Sequence, residues 1–467
     1  MPGGVTPATP SRRIAGAAVA AAVVVAVAGA WPVPEARTDP RPNVIVVLTD
    51  DQRWDSLDAM PWLRGELARD GSGWAAFPLM FANTPLCCPS RASLLTGSYA
   101  HHTGVVDNAS GDRLDESETL ATWLRAAGYR TGLVGKYLNR YPFGRPPYVP
   151  PGWDRFVAKR NQSGATVYRD FRAIDQGSPV FVRPYATDWL ADRAVGFVRT
   201  APSSRPFFLL FTPSAPHPPW IPADRHAGAY ARLPVEEPPN VAGALRGAPP
   251  WVGARPLPSA AQRTEWLDEQ RRADETLLAV DDALRRLVDA LGPRLDRTVI
   301  LVLSDNGYSF GEHRWEGKRC PYEACVRIPL AVHSPSAIEP SAVPVSIVDL
   351  APTVLDLART RAPVPIDGAS FARSVDGDLD GLDDPVVATD AVFLEWAGDA
   401  QMPAWIAVRT ADLKLIRYAD GVEELYDLAG SRSPPDAWEM TNRIHDPRYR
   451  GDAARLRRLL GRWEGAG

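Results

Sequence analysis

Cysteine is scarce in this chain, four in 467 residues, so the fold does not rest on a disulfide framework of the kind that staples small secreted domains. A basic excess is also missing. The formal net charge is −4, which leaves nothing to neutralise a run of phosphates and excludes a general nucleic-acid binder. Internal repeats and low-complexity tails are absent too. Hydrophobic content of 45% and charged content of 23% then describe an ordinary globular protein. At this length one large domain plus a smaller one is expected, because single cores stop growing at about 250–300 residues. Proline, by contrast, is plentiful at 46. Much of it lies between Ala201 and Pro258, a stretch that reads as ordered loop interrupting the strand–helix rhythm.

The first 30 residues read as a targeting segment. Arg12 and Arg13 precede an apolar run from Ile14 to Ala30, and Ala28-Gly29-Ala30 supplies a small-residue cleavage site. The arginine pair also permits a twin-arginine export reading, and the run is nearly long enough for an uncleaved membrane anchor. Either way the body of the protein is expected outside the cytoplasm, secreted or extracytoplasmic, with 31–41 as a linker. Export makes a bridge between Cys320 and Cys325 feasible and leaves the pairing open.

Four apolar runs rich in β-branched or aromatic residues read as strands buried on both faces: "NVIVVLTDD" from Asn43, "YRTGLVGK" from Tyr129, "FFLLF" from Phe207 and "TVILVLSDNG" from Thr298. Helical periods fall between them. Thr119 to Ala127 is one, and Leu277, Val280, Leu284, Leu287, Val288 and Leu291 form a better one, at spacings of mostly three and four. The alternation predicts an α/β fold with a mostly parallel central sheet flanked by helices over residues 42–375. After about Asp376 the texture changes. Trp405 to Leu428 reads as short antiparallel strands turning at Ala411-Asp412 and Asp420-Gly421. A terminal helix follows, with Asp452 as its N-cap and Leu456, Leu459, Leu460 and Trp463 on one stripe. Residues 376–467 are thus expected to form a smaller α+β subdomain.

Ligands of open α/β sheets bind beyond the carboxyl ends of the strands. There the chain places Asp50-Asp51, Lys136 and Asp305-Asn306. If the first and last strands are neighbours, three carboxylates and an amide converge at a spacing of about 4.8 Å. Uncompensated, they would raise one another's pKa. A hard divalent cation removes the problem, and an oxygen donor set points to Ca²⁺ or Mg²⁺. A turn or capping role is the structural alternative for Asp50-Asp51. In "LCCPSRASLLTG", Pro89 suits the first position of a helix and Gly97 its stop. Cys87 would then sit at the positive end of that helix, where an anion is favoured, although two buried small side chains would explain the cysteine pair equally well. Arg91, Lys136, His217 and Lys318 each have a bland reading as surface or packing residues. Together they make an anion site whose charge suits an anionic ester.

These residues carry a resemblance. "CCPSRASLLTG" resembles the Cys-x-Pro-Ser-Arg motif of the sulfatase family, an alkaline-phosphatase-like superfamily. The likeness continues through "GKYLNRY", "APHPPW", "LSDNGYSFGEH", "GKRCPYEACVRIPL" and the closing "ELYDL". Within the family these stretches are similar to the N-acetylglucosamine-6-sulfatase branch. The resemblance implies that a formylglycine-generating enzyme oxidises Cys87 to formylglycine, with Cys88 only the variable position. It further implies Ca²⁺ (or Mg²⁺) held by Asp50, Asp51, Cys87, Asp305 and Asn306. Arg91 would hold the formylglycine hydrate, and Lys136, His217 and Lys318 would contact sulfate. The substrate class implied is a sulfated glycan or a small sulfate ester. One departure stands out: many sulfatases have a histidine two residues after the Gly-Lys lysine, and Leu138 occupies that position here. His101 and His102 are the replacements the sequence offers. Two other readings use the same residues, a phosphonate or phosphodiester hydrolase and a non-catalytic glycan binder with unmodified Cys87. Arg140, Arg145, Arg155, Lys159 and Arg160 read as a basic lip for an acidic chain, or as a solvated run.

Overall fold

A computed structural model gives the architecture, describing residues 39–160, 163–340, 342–377 and 390–465 together with Gly3. The targeting segment, 1–30, lies outside them apart from that glycine, as does most of the 31–41 linker. Thr38–Gly467 cluster into one compact unit.

The large sheet has nine strands: β1 (Asn43–Thr49), β2 (Trp74–Ala76), β3 (Arg130–Lys136), β4 (Arg155–Lys159), β5 (Phe171–Asp175), β6 (Ser178–Val182), β7 (Phe207–Thr212), β8 (Thr298–Ser304) and β9 (Leu330–His333). Their spatial order is β2-β9-β8-β1-β7-β3-β4-β5-β6. The five central strands, β8-β1-β7-β3-β4, run parallel. Each edge adds a pair in antiparallel pairing: β9 and β2 on one side, β5 and β6 on the other. The sequence runs account for four of the five central strands. β4 and the edge strands were not anticipated, because they are short and several are half exposed; Phe181 of β6 is 61% exposed.

Both faces of the parallel centre are covered. In β1, Val44, Val46 and Leu48 enter one core while Ile45 and Val47 enter the other, which is why the run is continuously apolar. Every residue of β1 and β8 is buried, and a fully buried Val or Leu side chain stabilises by about 1.5–3 kcal/mol. The first core takes α1 (Cys87–Thr96), α2 (Leu120–Ala126) and α5 (Leu350–Leu357); the second takes α3 (Ala186–Thr200) and α4 (Ala260–Leu291). A capping box at Ser259 and Gln262 starts α4, and Leu277, Val280, Leu284, Leu287 and Leu291 form its buried face. The proline-rich stretch after β7 contributes only two four-residue helices, Pro239–Ala242 and Pro250–Gly253, before α4.

A separate antiparallel sheet comprises β10 (Ala391–Trp396), β11 (Trp405–Thr410), β12 (Leu413–Tyr418) and β13 (Glu423–Asp427), in that order. Its turns fall at Ala411-Asp412 and around Asp420-Gly421, as expected. α6 (Arg450–Glu464) packs Leu456 and Leu460 against this sheet. Asp452 is not its N-cap: Tyr449 holds that place, and Asp452 lies in the first turn, bonded to Arg432 Nε at 2.6 Å. A carboxylate there still faces the positive helix end. Cys320 and Cys325 form a disulfide, whereas Cys87 and Cys88 are free and buried. Among the described residues no helix is long and apolar enough to cross a membrane.

Candidate active site

β1 and β8 are adjacent and in one-to-one register up to Thr49 and Ser304, so their ends bring Asp50, Asp51, Asp305 and Asn306 together, all buried. Side chains alternate along a strand, and the strand has to stop for two consecutive aspartates to serve one site. Asp51 does this with φ +74°, a left-handed conformation that Asp tolerates better than most residues. Asp305 N–H donates to Thr49 O and Asp51 N–H to Asp305 Oδ1, which locks the two turns to each other.

α1 delivers Cys87 as its first residue. Pro89 is therefore third in the helix rather than first, a harmless place because first-turn N–H groups have no intrahelical partner. Gly97 ends the helix at φ +70°, as expected. Ligand atoms of Asp50, Asp51, Cys87 and Asp305 all lie within 4.8 Å of one another. Cys87 Sγ is 3.5 Å from Asp50 Oδ1 and 2.9 Å from Lys318 Nζ. The helix end does not make the thiol acidic; burial pushes it up to about 12, against Lys136 and Lys318. Cys88 turns away, its N–H bonded to Asn108 Oδ1 at 3.0 Å.

Cations surround the acids. Lys136 Nζ is 2.7 Å from Asp50 Oδ2, and Lys318 Nζ is 2.5 Å from Asp51 Oδ1. Arg91 Nε donates to Asp305 Oδ2 at 2.8 Å and its Nη1 to Lys136 O at 2.7 Å. Gly135 lets β3 reach this point, since a Cβ there would lie 2.0 Å from Thr212 O. His217 Nδ1 sits 2.7 Å from Pro218 O, a carbonyl that only accepts, so the proton is on Nδ1 and Nε2 faces Asp51 Oδ2 at 3.8 Å. Burial opposes ionisation of Asp50, but Lys136, His217, Arg91 and Lys318 outweigh it and hold the carboxyl below its ordinary value. Asp305 moves the other way, raised by burial and by repulsion from Asp50. Burial pulls His217 down; at Lys318 burial acts the same way but is outweighed by Asp51, Cys87, Asp50 and Asp305 together, and the pKa is raised.

Asp51 Oδ2 and Asn306 Oδ1 are buried oxygens without a hydrogen-bond donor. Two orphaned acceptors beside mutually repelling carboxylates fit a hard divalent cation. Every residue expected at the site, Asp50, Asp51, Cys87, Arg91, Lys136, His217, Asp305, Asn306 and Lys318, is in or beside this cluster. His101 and His102 are committed elsewhere, to Glu395 and Asp367 at 2.8 and 2.7 Å, and Leu138 is buried in the first core. The basic lip is not one surface. Arg155 pairs with Asp175, Lys159 is buried, and Arg140, Arg145 and Arg160 are exposed. Lys159 lines the cavity with Asp50, Lys136 and His217; without β4, which was not anticipated, nothing places it there.

The mixed sheet between helices thus carries acids, a thiol and cations together at its carboxyl end. Comparison with known proteins gives the family. The sulfatase profile matches residues 42–360, and the profile of the N-sulphoglucosamine sulphohydrolase C-terminal region matches 311–464. The N-acetylglucosamine-6-O-sulfatase of Bacteroides thetaiotaomicron is 28% identical over 91% of this chain and 87% of its own length. The human N-acetylglucosamine-6-sulfatase is 34% identical over 68% of this chain, which spans 61% of that longer protein. A solved structure described as a complex with its substrate D-glucosamine-2-N,6-O-disulfate superposes with a TM-score of 0.77 at 26% identity, covering 91% of this chain and 98% of that one. The chain belongs to the sulfatase family, whose members are sulfuric ester hydrolases.

Proposed function

We propose that the protein is an exported sulfatase that removes 6-O-sulfate from N-acetylglucosamine units of sulfated glycans. The observation that carries the reading is the convergence of Asp50, Asp51 and Asp305 on Cys87 within 4.8 Å. Formylglycine made from Cys87 by a formylglycine-generating enzyme would supply a hydrated aldehyde as nucleophile, and Ca²⁺ or Mg²⁺ would supply Lewis acidity. Asp50, Asp51, Asp305 and Asn306, with the modified Cys87, would hold that ion. The chain's own residues do the rest. Arg91, fixed by Asp305 and Lys136 O, keeps its Nη2 unpartnered and would orient the nucleophile. Lys136 and Lys318, each anchored on an aspartate, present positive charge to the sulfate oxygens. Lys318, held protonated beside Asp51, would donate the proton to the leaving alcohol, while His217, its Nδ1–H tied to Pro218 O, presents Nε2 as an acceptor.

In this reading residues 1–30 direct export, 31–41 link, 42–375 are the catalytic α/β domain and 376–467 the C-terminal subdomain. The 6-sulfate assignment is supported by the N-acetylglucosamine-6-sulfatase relatives. Peptide mass spectrometry on Cys87 tests the modification. Hydrolysis of N-acetylglucosamine-6-sulfate, an aryl sulfate and an aryl phosphodiester by one preparation tests the activity. Turnover of the phosphodiester alone would turn the reading to a phosphonate or phosphodiester hydrolase, and unmodified Cys87 without turnover to a glycan binder.

A further inference from the structure

The chain contains only four lysines, Lys136, Lys159, Lys318 and Lys414. Its solvated cationic surface is built from arginine, so each lysine has an interior task. Three of them hold carboxylates: Lys136 pairs with Asp50, Lys318 with Asp51, and Lys414 with Glu323 and Glu439. Lys159 holds none. It is 6% exposed, and among the described residues it has no hydrogen-bond or ion-pair partner, only the Phe171 ring at 5.4 Å. A buried ammonium without a partner is costly. Burial and the nearby Lys136 bring its pKa down to about 8, with only Asp50 opposing.

Its place gives it a purpose. Lys159 ends β4 directly across the parallel ladder from Lys136 of β3, so it stands one strand, about 4.8 Å, further from the Cys87 cluster. The same cavity is lined by Asp50, Lys136, Ser214 and His217, and by exposed Arg160. Lys136 and Lys318 are already beside the position of the reacting sulfate. We propose that Lys159 is a specificity-determining residue that pairs with a second anionic substituent of the substrate, a sulfate or a carboxylate neighbouring the sulfate that is cleaved. The proposal rests on the sulfatase reading. It accounts for a lone buried cation opening onto the cavity, and it makes the preferred substrate a multiply anionic sugar.

The test compares parent, Lys159→Met and Lys159→Arg on N-acetylglucosamine-6-sulfate, on glucosamine-2-N,6-O-disulfate and on a 6-sulfated disaccharide carrying a uronate. One lost charge-assisted hydrogen bond is worth about tenfold or more. Lys159→Met should therefore cut the preference for one dianionic substrate over the monosulfate about tenfold, mainly in KM, and Lys159→Arg should restore much of it. Which dianionic substrate loses its advantage tells sulfate from carboxylate. The unliganded Lys159→Met protein should melt at or above the parent, since an unpaired buried charge is gone. Equal losses on all three substrates, an unchanged preference, or a thermal midpoint several degrees lower would each overturn the proposal. A parent that cleaves none of the three would refute the sulfatase reading on its own. Thermal shift with the two dianionic probes would still judge Lys159, requiring stabilisation of the parent that Lys159→Met loses.

Discussion

Buried charge gathers a second time in this molecule, where Glu323, Arg409 of β11, Lys414 of β12 and Glu439 meet. Lys414 Nζ donates to Pro321 O at 2.9 Å and Glu323 Oε1 at 3.1 Å and pairs with Glu439, while Glu323 N–H donates to Glu439 Oε2 at 2.8 Å. Arg409 reaches Glu323 at 3.3 Å. Next to them Glu424 of β13 accepts the hydroxyls of Tyr322, Tyr418 and Tyr426. Both clusters are assembled from distant segments and both are built mainly from buried side chains. In the second, each acid has a cation beside it, Glu439 Oε1 through its ion pair with Lys414 alone. In the first, Asp51 Oδ2, Asn306 Oδ1 and Arg91 Nη2 are unpartnered, and Lys159 opens onto the cavity uncommitted. Burial and salt bridging alone do not mark a site; unspent hydrogen-bonding capacity does.

The comparison is sharpened most by removing the nucleophile. Cys87→Ala should lower kcat/KM for an aryl sulfate by about 10⁴-fold or more while the thermal midpoint stays near the parent's; Cys88→Ala should keep most activity. Sulfate release at an undiminished rate from Cys87→Ala would end the separation of roles. Next comes the ion. Asp305→Ala should lose alkaline-earth metal and turnover together, and stoichiometric zinc in the parent by elemental analysis would contradict the oxygen-donor assignment. This substitution also strands Arg91, so some loss of stability is expected with it. Breaking the closed cluster should have the opposite balance. Glu323→Ala leaves buried cations uncompensated and should cost about 3–5 kcal/mol, read in denaturant unfolding, whereas kcat measured on the folded fraction should change less than threefold.

The smallest effect is a pH slope. Burial raises Glu424 to about 7. Its folded pKa exceeds the unfolded value, so the stability it contributes is full below about 4.5 and is lost as pH rises through 7. Parent and Glu424→Gln should therefore differ most near pH 5, the gap closing by roughly 2–3 kcal/mol toward pH 8. A gap that widens with pH would show the carboxylate to be held charged.

Much of this was legible in the chain. Strands buried on both faces leave unbroken apolar runs, so β1, β3, β7 and β8 could be read, and the acids that end β1 and β8 stood out against them. The terminal sheet was legible from its turns. What stayed hidden depends on neighbours distant in sequence. Lys159 looks like any surface lysine until β4 is placed beside β3. His101 and His102 look available until Glu395 and Asp367 are seen to hold them. Pro89 permits a helix start in two registers, and the packing of Cys87 against Asp50 selects the earlier one.

The pairing of β1 with β8 also sets a timetable. Asn43 and Thr298 stand opposite each other across 255 residues of chain. At about 5–20 residues per second of synthesis, β1 spends roughly 13–50 s with that edge open before its neighbour exists. Such long-range pairing is slow to form and exposes apolar strand meanwhile. A nascent chain that stops between Arg91 and Thr298 carries the Cys87 motif and two of the three acids with nothing to close them. A holding chaperone, or secretion ahead of folding, would protect that interval.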